Sequence, residues 1–413
     1  MEQLYVKNFL VIKEATFEVG RVNVIIGSQA NGKSLLAKLL YFFREIISDS
    51  MLLSVQGREA QKEYVKRIEE VFEKYFPMYT WKEKTFELHY KRDDIDIVIS
   101  KTSTQRKIQI NLCDYHKKLF RNLKSEYNKF LKNEKNEDDF IVDNFWEFKD
   151  RYFQKEKDLS LYFNESIFIP ASRSFFANLQ KNIFSFLSEN IDIDPFMKEF
   201  GSNYEFSKKI YTNTRFSKSL SENNKSYSKI KEISQIILNG VYRYKEKEDW
   251  IESKNGLINL SNASSGQQES LPMLLMLSIL PFISSKNQQI YFIEEPEAHL
   301  FPVSQKHIVS IFGMLYNHNQ DSVITTHSPY ILTALNNLIL GSDIKLQKGA
   351  DAIKDIVDEE FCIHYDDVKA YTIQDGVLKS IMDDESRLIG VNIIDSVSDE
   401  FNDTFDTLLA LQD

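Results

Sequence analysis

The chain has 413 residues, 42% of them hydrophobic, with 51 Lys plus Arg against 61 Asp plus Glu and a formal net charge of −10, which is ample length for two or three domains with real cores. Its two cysteines, Cys113 and Cys362, lie far apart without metal-ligand spacing, which excludes a disulfide framework and a zinc site. The acidic balance gives no support by itself to nucleic-acid binding, although residues 351–413 carry 17 acidic and 4 basic side chains against 44 acidic and 47 basic in the first 350, so the tail could mask basic surface.

The N-terminus alternates like a strand pair, with expected strands over residues 4–9 and 14–19, and has no basic stretch leading an apolar core. Residues 22–40 read VNVIIGSQANGKSLLAKLL. A β-branched run leads into Gly27, Ser28, Gln29, Ala30, Asn31, Gly32, Lys33 and Ser34, which has the G-x-x-x-x-G-K-S spacing of a phosphate-binding P-loop, and a helical pattern follows. Glycines let backbone N–H groups approach a polyphosphate at the positive end of a helix. Lys33 would neutralise the β- and γ-phosphates, and the Ser34 hydroxyl would hold Mg²⁺. Glycine is scarce in this chain, at 13 residues in all, so the spacing points to ATP and Mg²⁺ as ligands rather than to a chance turn.

Residues 41–79 are helical and increasingly charged, 85–99 and 106–112 return to strand-like alternation, and 115–161 form a charged helical stretch dotted with aromatics. SIFIP, residues 166–170, reads as a buried strand, followed by ASRS with Arg173. A polar helical lobe is expected over 175–254. Within it, the Lys/Ser/Asn-rich segment near 211–231 reads as a solvated loop, with a phosphate-backbone contact surface as the alternative.

The motifs resume with SSGQQ, residues 264–268, a polar helix cap leading an apolar run. That run, 271–283, is too short for a membrane span and contains Pro272 and Pro281, so the chain reads as soluble and cytoplasmic. QIYFIEEPE, residues 289–297, is an apolar strand that delivers two carboxylates at its end. Glu294 takes the Walker-B role of holding Mg²⁺, and Glu295 polarises the water that attacks the γ-phosphate. SVITT then ends another apolar strand, with His327, Ser328 and Pro329 after it. Beyond residue 341 the chain turns acidic, with an expected hairpin or small sheet over 361–378 and a final amphipathic helix.

In this order and spacing the motifs resemble an ATP-binding-cassette-type ATPase head. They are most similar to the branch shared by structural-maintenance-of-chromosomes proteins, DNA-repair recombination ATPases and the overcoming-lysogenization-defect family. The resemblance implies an α/β fold, a mixed or parallel sheet flanked by helices, with helical insertions between P-loop and signature. The expected division is a discontinuous head (1–45, 160–174 and 255–345), an arm (46–159), a helical lobe (175–254) and an acidic C-terminal subdomain (346–413).

It further implies a head-to-head dimer, or a higher homo-oligomer, around sandwiched ATP. Ser264, Ser265, Gly266 and Gln267 of one copy would face the P-loop of the other, residues 298–300 would form the D-loop, and His327 would contact the γ-phosphate. A second effector protein such as a nuclease or toxin is implied, since no TOPRIM-like nuclease domain is expected after residue 340. DNA is a further candidate partner, and anti-phage defence a setting. Glu294 departs from the Asp of many members, Ser265 stands where transporters carry Gly, no Q-loop glutamine is assigned, and Arg173 lies in a recurrent IPA-x-R stretch. A non-hydrolysing scaffold and a transporter subunit are the competing readings.

Overall fold

The computed structural model describes residues 1–134, 144–177, 193–283, 288–390 and 402–409. The strands are β1 (Glu2–Phe9), β2 (Ile12–Val19), β3 (Val22–Ile26), β4 (Phe86–Arg92), β5 (Ile95–Lys101), β6 (Gln109–Leu112), β7 (Ser166–Ile169), β8 (Val241–Lys245), β9 (Glu248–Ser253), β10 (Gly256–Asn259), β11 (Ile290–Glu294), β12 (Asp321–Thr326), β13 (Val368–Gln374), β14 (Val377–Ser380), β15 (Met382–Asp383) and β16 (Leu388–Ile389). Eleven of them form one mixed sheet in the order β6-β5-β4-β1-β2-β14-β13-β3-β12-β11-β7. The α/β head with flanking helices expected from the sequence is therefore present.

One half of the sheet, β13-β3-β12-β11-β7, is parallel throughout. Every residue of β3 and of β11 is buried, as expected of continuous apolar runs covered on both faces. Alternate residues serve opposite sides. Val22, Val24 and Ile26 join the core built on the helices Ser265–Ile283, Pro302–Asn317 and Pro329–Lys348, whereas Ile25 joins the aromatic-rich core around the helices Lys33–Glu45 and Gln61–Tyr75. The other half, β6-β5-β4-β1-β2, is antiparallel and is drawn partly from the 46–159 insertion.

Register places the functional ends together. Ile26 pairs with Thr326, Thr325 with Glu294, and Ile293 with Ile169. The segments that follow β3, β12, β11 and β7 therefore leave the sheet at one carboxyl edge, where ligands of parallel sheets gather. Behind that edge, Arg44 near the end of the Lys33–Glu45 helix pairs with buried Glu2 of β1, which also accepts from the Tyr90 hydroxyl at 2.6 Å. Burial opposes the Glu2 charge, but Arg44 and Arg92 outweigh it and hold the carboxyl below its usual range. Removing one partner of such a buried pair costs about 3–5 kcal/mol.

Two local expectations need correcting. The 211–231 segment is helical rather than a solvated loop: Asn213 and Asn224 accept from the Phe216 and Tyr227 amides and cap the helices Thr214–Asn223 and Lys225–Leu238. Polar composition suggested a loop, but its asparagines are helix starts. The end of the supposed helical lobe forms β8 and β9, joined at Glu246 and Lys247, both at positive φ. The expected C-terminal hairpin is present as β13 and β14 around Asp375-Gly376, and it sits mid-sheet beside β3. The expected lobe and tail include residues 178–192, 391–401 and 410–413, and the arm includes 135–143, all outside the described residues; 402–409 are helical.

Candidate functional site

The turn after β3 is shaped by close approach. A Cβ on Gly27 would lie 3.0 Å from the Ile373 carbonyl oxygen of β13, and one on Gly32, at φ +98, would lie 3.0 Å from both Ile12 and Val11 side chains of the β1–β2 turn. Gly32 is the N-cap of the Lys33–Glu45 helix, and Asn31 Nδ2 donates to the Ile373 carbonyl at 3.3 Å. Ser28, Gln29 and Ala30 form the exposed tip. The loop therefore combines an open mouth with a fixed floor.

Lys33 is buried, and its Nζ donates to the carbonyls of Gly27 and Ser28, each at 2.8 Å. Burial lowers its pKa despite the opposing pull of Glu295 and Glu297. An anion in the loop would restore the ammonium's preference for charge. The same Nζ lies 3.3 Å from both ring nitrogens of His327, and His327 Nε2 lies 3.1 Å from Glu295 Oε1. Three of the residues singled out from sequence thus form one contiguous group.

Glu294 is buried at the end of β11, where Oε2 accepts from the Ala171 amide at 3.3 Å and Oε1 has no hydrogen-bond partner. Burial raises its pKa, countered by Lys38 and by the Ser34 hydroxyl that faces it. A buried carboxylate with an unpartnered oxygen beside a hydroxyl fits a Mg²⁺ ion whose other ligands are phosphate and water. Among the described residues there is no group of three or more His, Cys, Asp or Glu that could hold a metal.

Glu295 adopts φ 43, an uncommon conformation for a glutamate; its amide donates to the Thr325 carbonyl at 2.8 Å. Glu297, which sequence reasoning passed over, ties the two motifs together: Oε1 accepts from the Thr326 hydroxyl and from the His327 amide, both at 2.7 Å. Gln305 was also missed. It donates to the Leu300 carbonyl at 3.0 Å and accepts from the Ser328 hydroxyl at 2.5 Å, joining residues 298–300 to the turn after His327. Only the EEPE spacing could have flagged the first, and nothing in the sequence flags the second.

SSGQQ forms a reciprocal cap. The Ser264 amide donates to Gln267 Oε1 at 3.2 Å, and the Gln267 amide to Ser264 Oγ at 3.4 Å. Ser264 and Ser265 are exposed, and a Cβ on Gly266 would lie 2.7 Å from the His299 carbonyl oxygen, so the cap packs on residues 298–300. The Ser264 hydroxyl also donates to Gln267 Oε1 at 3.1 Å, and the Gln267 and Gln268 side-chain amides donate to the carbonyls of Leu238, Ser261 and Ala263.

Arg173, from the IPASRS stretch, is fully buried against the end of β11 that carries both carboxylates. The described stretch after β7, residues 170–177, contains no glutamine; it contacts Glu294 through the Ala171 amide and the Arg173 guanidinium.

Residues 1–332 match the family model described as AAA ATPase domain. No curated protein matches the chain. Similar solved structures include an SMC head bound to the C-winged helix domain of ScpA, at 13% identity and TM-score 0.39, covering 92% of this chain and 96% of that one. The SMC head domain from Thermotoga maritima has 12% identity and TM-score 0.37, with 92% and 97% covered. The recombination mediator RecF of the RecFOR pathway has 13% identity and TM-score 0.33, with 92% and 97% covered.

Proposed function

Because the chain belongs to the AAA ATPase domain family, we propose that it binds and hydrolyses ATP as a switch, closing head to head around the nucleotide. The observation that carries this reading is the chain of contacts from Lys33 through His327 to Glu295 at the sheet edge that also bears Glu294. In this reading the P-loop amides and Lys33 bind the β- and γ-phosphates, and His327 contacts the γ-phosphate. Ser34 and Glu294 hold Mg²⁺, which supplies positive charge to the phosphate oxygens when bound. Glu295 orients the attacking water and accepts its proton, held by the αL turn and the His327 contact.

A second copy completes the site by presenting Ser264, Ser265 and Gly266, whose helix-start N–H groups meet the γ-phosphate. Support for that face comes from Phe301, Val303 and Tyr330, exposed at 75, 60 and 54% beside the 298–300 turn and His327. No helix among the described residues is long and apolar enough to cross a membrane. Dimer closure and release then act on DNA or gate a second effector such as a nuclease or toxin, and anti-phage defence is the setting the sequence resemblance implies.

Phosphate release by the purified chain tests this. Glu295→Gln should bind ATP yet turn over at least ~10²-fold more slowly, as expected for loss of a residue that positions the attacking water, and should accumulate as the closed oligomer. Wild-type turnover in that variant would remove Glu295 from the role.

A further inference from the structure

Arg173 is the largest buried polar side chain that the reading above leaves without a task. Its guanidinium donates to four main-chain carbonyls on three segments: Pro170 at 2.9 Å, Glu294 at 2.7 Å, Glu295 at 3.0 Å and Glu269 at 2.9 Å. Its own amide donates to Glu269 Oε2 at 3.0 Å, and that carboxylate lies 3.6 Å from Arg173 Nε. Glu269 is buried one turn into the Ser265–Ile283 helix, whose start is the Ser264 cap. The planar fork of one arginine therefore joins the signature helix to the turn that aims both carboxylates.

What it fixes is a conformation that would not persist unaided. Glu295 sits in the left-handed region, an unfavourable conformation for a glutamate that survives only where the surroundings over-determine it. Its amide is held by the Thr325 carbonyl and its carbonyl by Arg173, one clamp on each side of the Cα. The Thr325 clamp belongs to β12, within the rigid sheet. The Arg173 clamp continues to Glu269, on the helix that meets the second copy in the proposed dimer.

We propose that Arg173 is the positioning residue for Glu294 and Glu295, and that through Glu269 it makes their aim depend on the signature helix. A displacement of that helix, when its N-terminus takes up a triphosphate bound to the other copy, is passed by Glu269 and Arg173 to the two carbonyls and so to the carboxylate that faces the water. Arg173 itself touches no reacting atom. The inference rests on the ATP-hydrolysis reading above and assigns what regulates the same site.

The test measures steady-state phosphate release and ATP binding for the full chain, its Arg173→Lys and Glu269→Gln variants, and the double variant. Lysine keeps the charge but cannot reach four carbonyls at once. Arg173→Lys should lower kcat about 10- to 100-fold, the scale of a small misplacement of a catalytic group, while KM and ATP affinity stay within about twofold. Glu269→Gln should lower kcat less, and the double variant should be no slower than Arg173→Lys, because the two act as one strut. A folded Arg173→Lys with wild-type kcat, a KM that worsens in step with kcat, or losses that multiply in the double variant would each overturn the proposal. If Arg173→Lys does not give a cooperative melt, Glu269→Gln decides: reduced kcat at unchanged KM sustains the strut, and wild-type kcat refutes it. A wild-type chain that binds ATP but releases no phosphate fails the parent reading, and the strut with it, and the wild-type arm tells that outcome apart from failure of the strut alone.

Discussion

Two helices of this molecule begin at a glycine-bearing polar turn and carry a glutamate, half-buried Glu45 in one and buried Glu269 in the other, and they are finished differently. Lys33–Glu45 starts in a loop whose floor, back and lysine are all supplied by its own chain. Ser265–Ile283 starts in a self-satisfied cap whose two serines face solvent. The glutamates reverse that order. Glu269 of the second helix is paired with Arg173, whereas Glu45 of the first has an oxygen with no hydrogen-bond partner. The difference teaches that the P-loop is finished by contacts within its own chain, whereas the cap leaves its two serines to solvent, the face that the proposed dimer would use.

The strongest way to break that comparison is to empty the self-contained side. Lys33→Ala should lose nucleotide binding altogether, because a buried ammonium that holds the loop carbonyls is also the principal charge facing the phosphates. Retained ATP affinity, by titration of a labelled nucleotide, would overturn the P-loop assignment.

Next comes the open side. Ser264→Arg should leave ATP binding to the open protomer within about twofold of wild type, because before closure the nucleotide is held by the P-loop of one chain alone, and should abolish hydrolysis and closure. Mixed with Lys33→Ala it should recover about one competent site per dimer, by the pairing arithmetic of an isologous interface. No recovery of phosphate release in the mixture would count against a site shared between copies.

The smallest expected effect concerns the glutamates. Burial pushes the Glu45 carboxyl up to about 7, helped by Asp49 and Glu199 and opposed by the Ser50 hydroxyl and Lys74; Glu199 is likewise raised to about 7. A carboxyl raised in the folded state binds more protons there than in the unfolded chain. Its contribution is therefore undiminished below the ordinary value of 4.5, falls as pH rises, and levels off above about 7. Glu45→Gln should flatten this decline, so the melting temperature should drop less than that of wild type between about pH 5 and 8. An unchanged slope would show that Glu45 is not the group responsible.

Legibility in the sequence followed locality. The P-loop, the two carboxylates after β11, His327 and the SSGQQ cap were readable because each is a short spacing with its own strand or helix context. The P-loop, the two carboxylates and His327 converge at one sheet edge through parallel pairing. What escaped were residues whose meaning lies in a partner far along the chain. Arg173 needs Glu269, 96 positions away, to become a strut, and Glu297 needs the amide of His327, 30 positions away. Asn213 and Asn224 looked like loop residues because asparagine serves caps and loops alike.

The position of β13 has one more consequence, for the order in which the molecule can assemble. The strand before the phosphate loop emerges from the ribosome among the first residues, yet its neighbour Val368–Gln374, whose Ile373 carbonyl meets both Gly27 and Asn31, emerges some 340 positions later. A nascent chain therefore carries its P-loop strand without either sheet neighbour until Asp321–Thr326 has been synthesised, and without the Ile373 floor of its cradle until Val368–Gln374 follows.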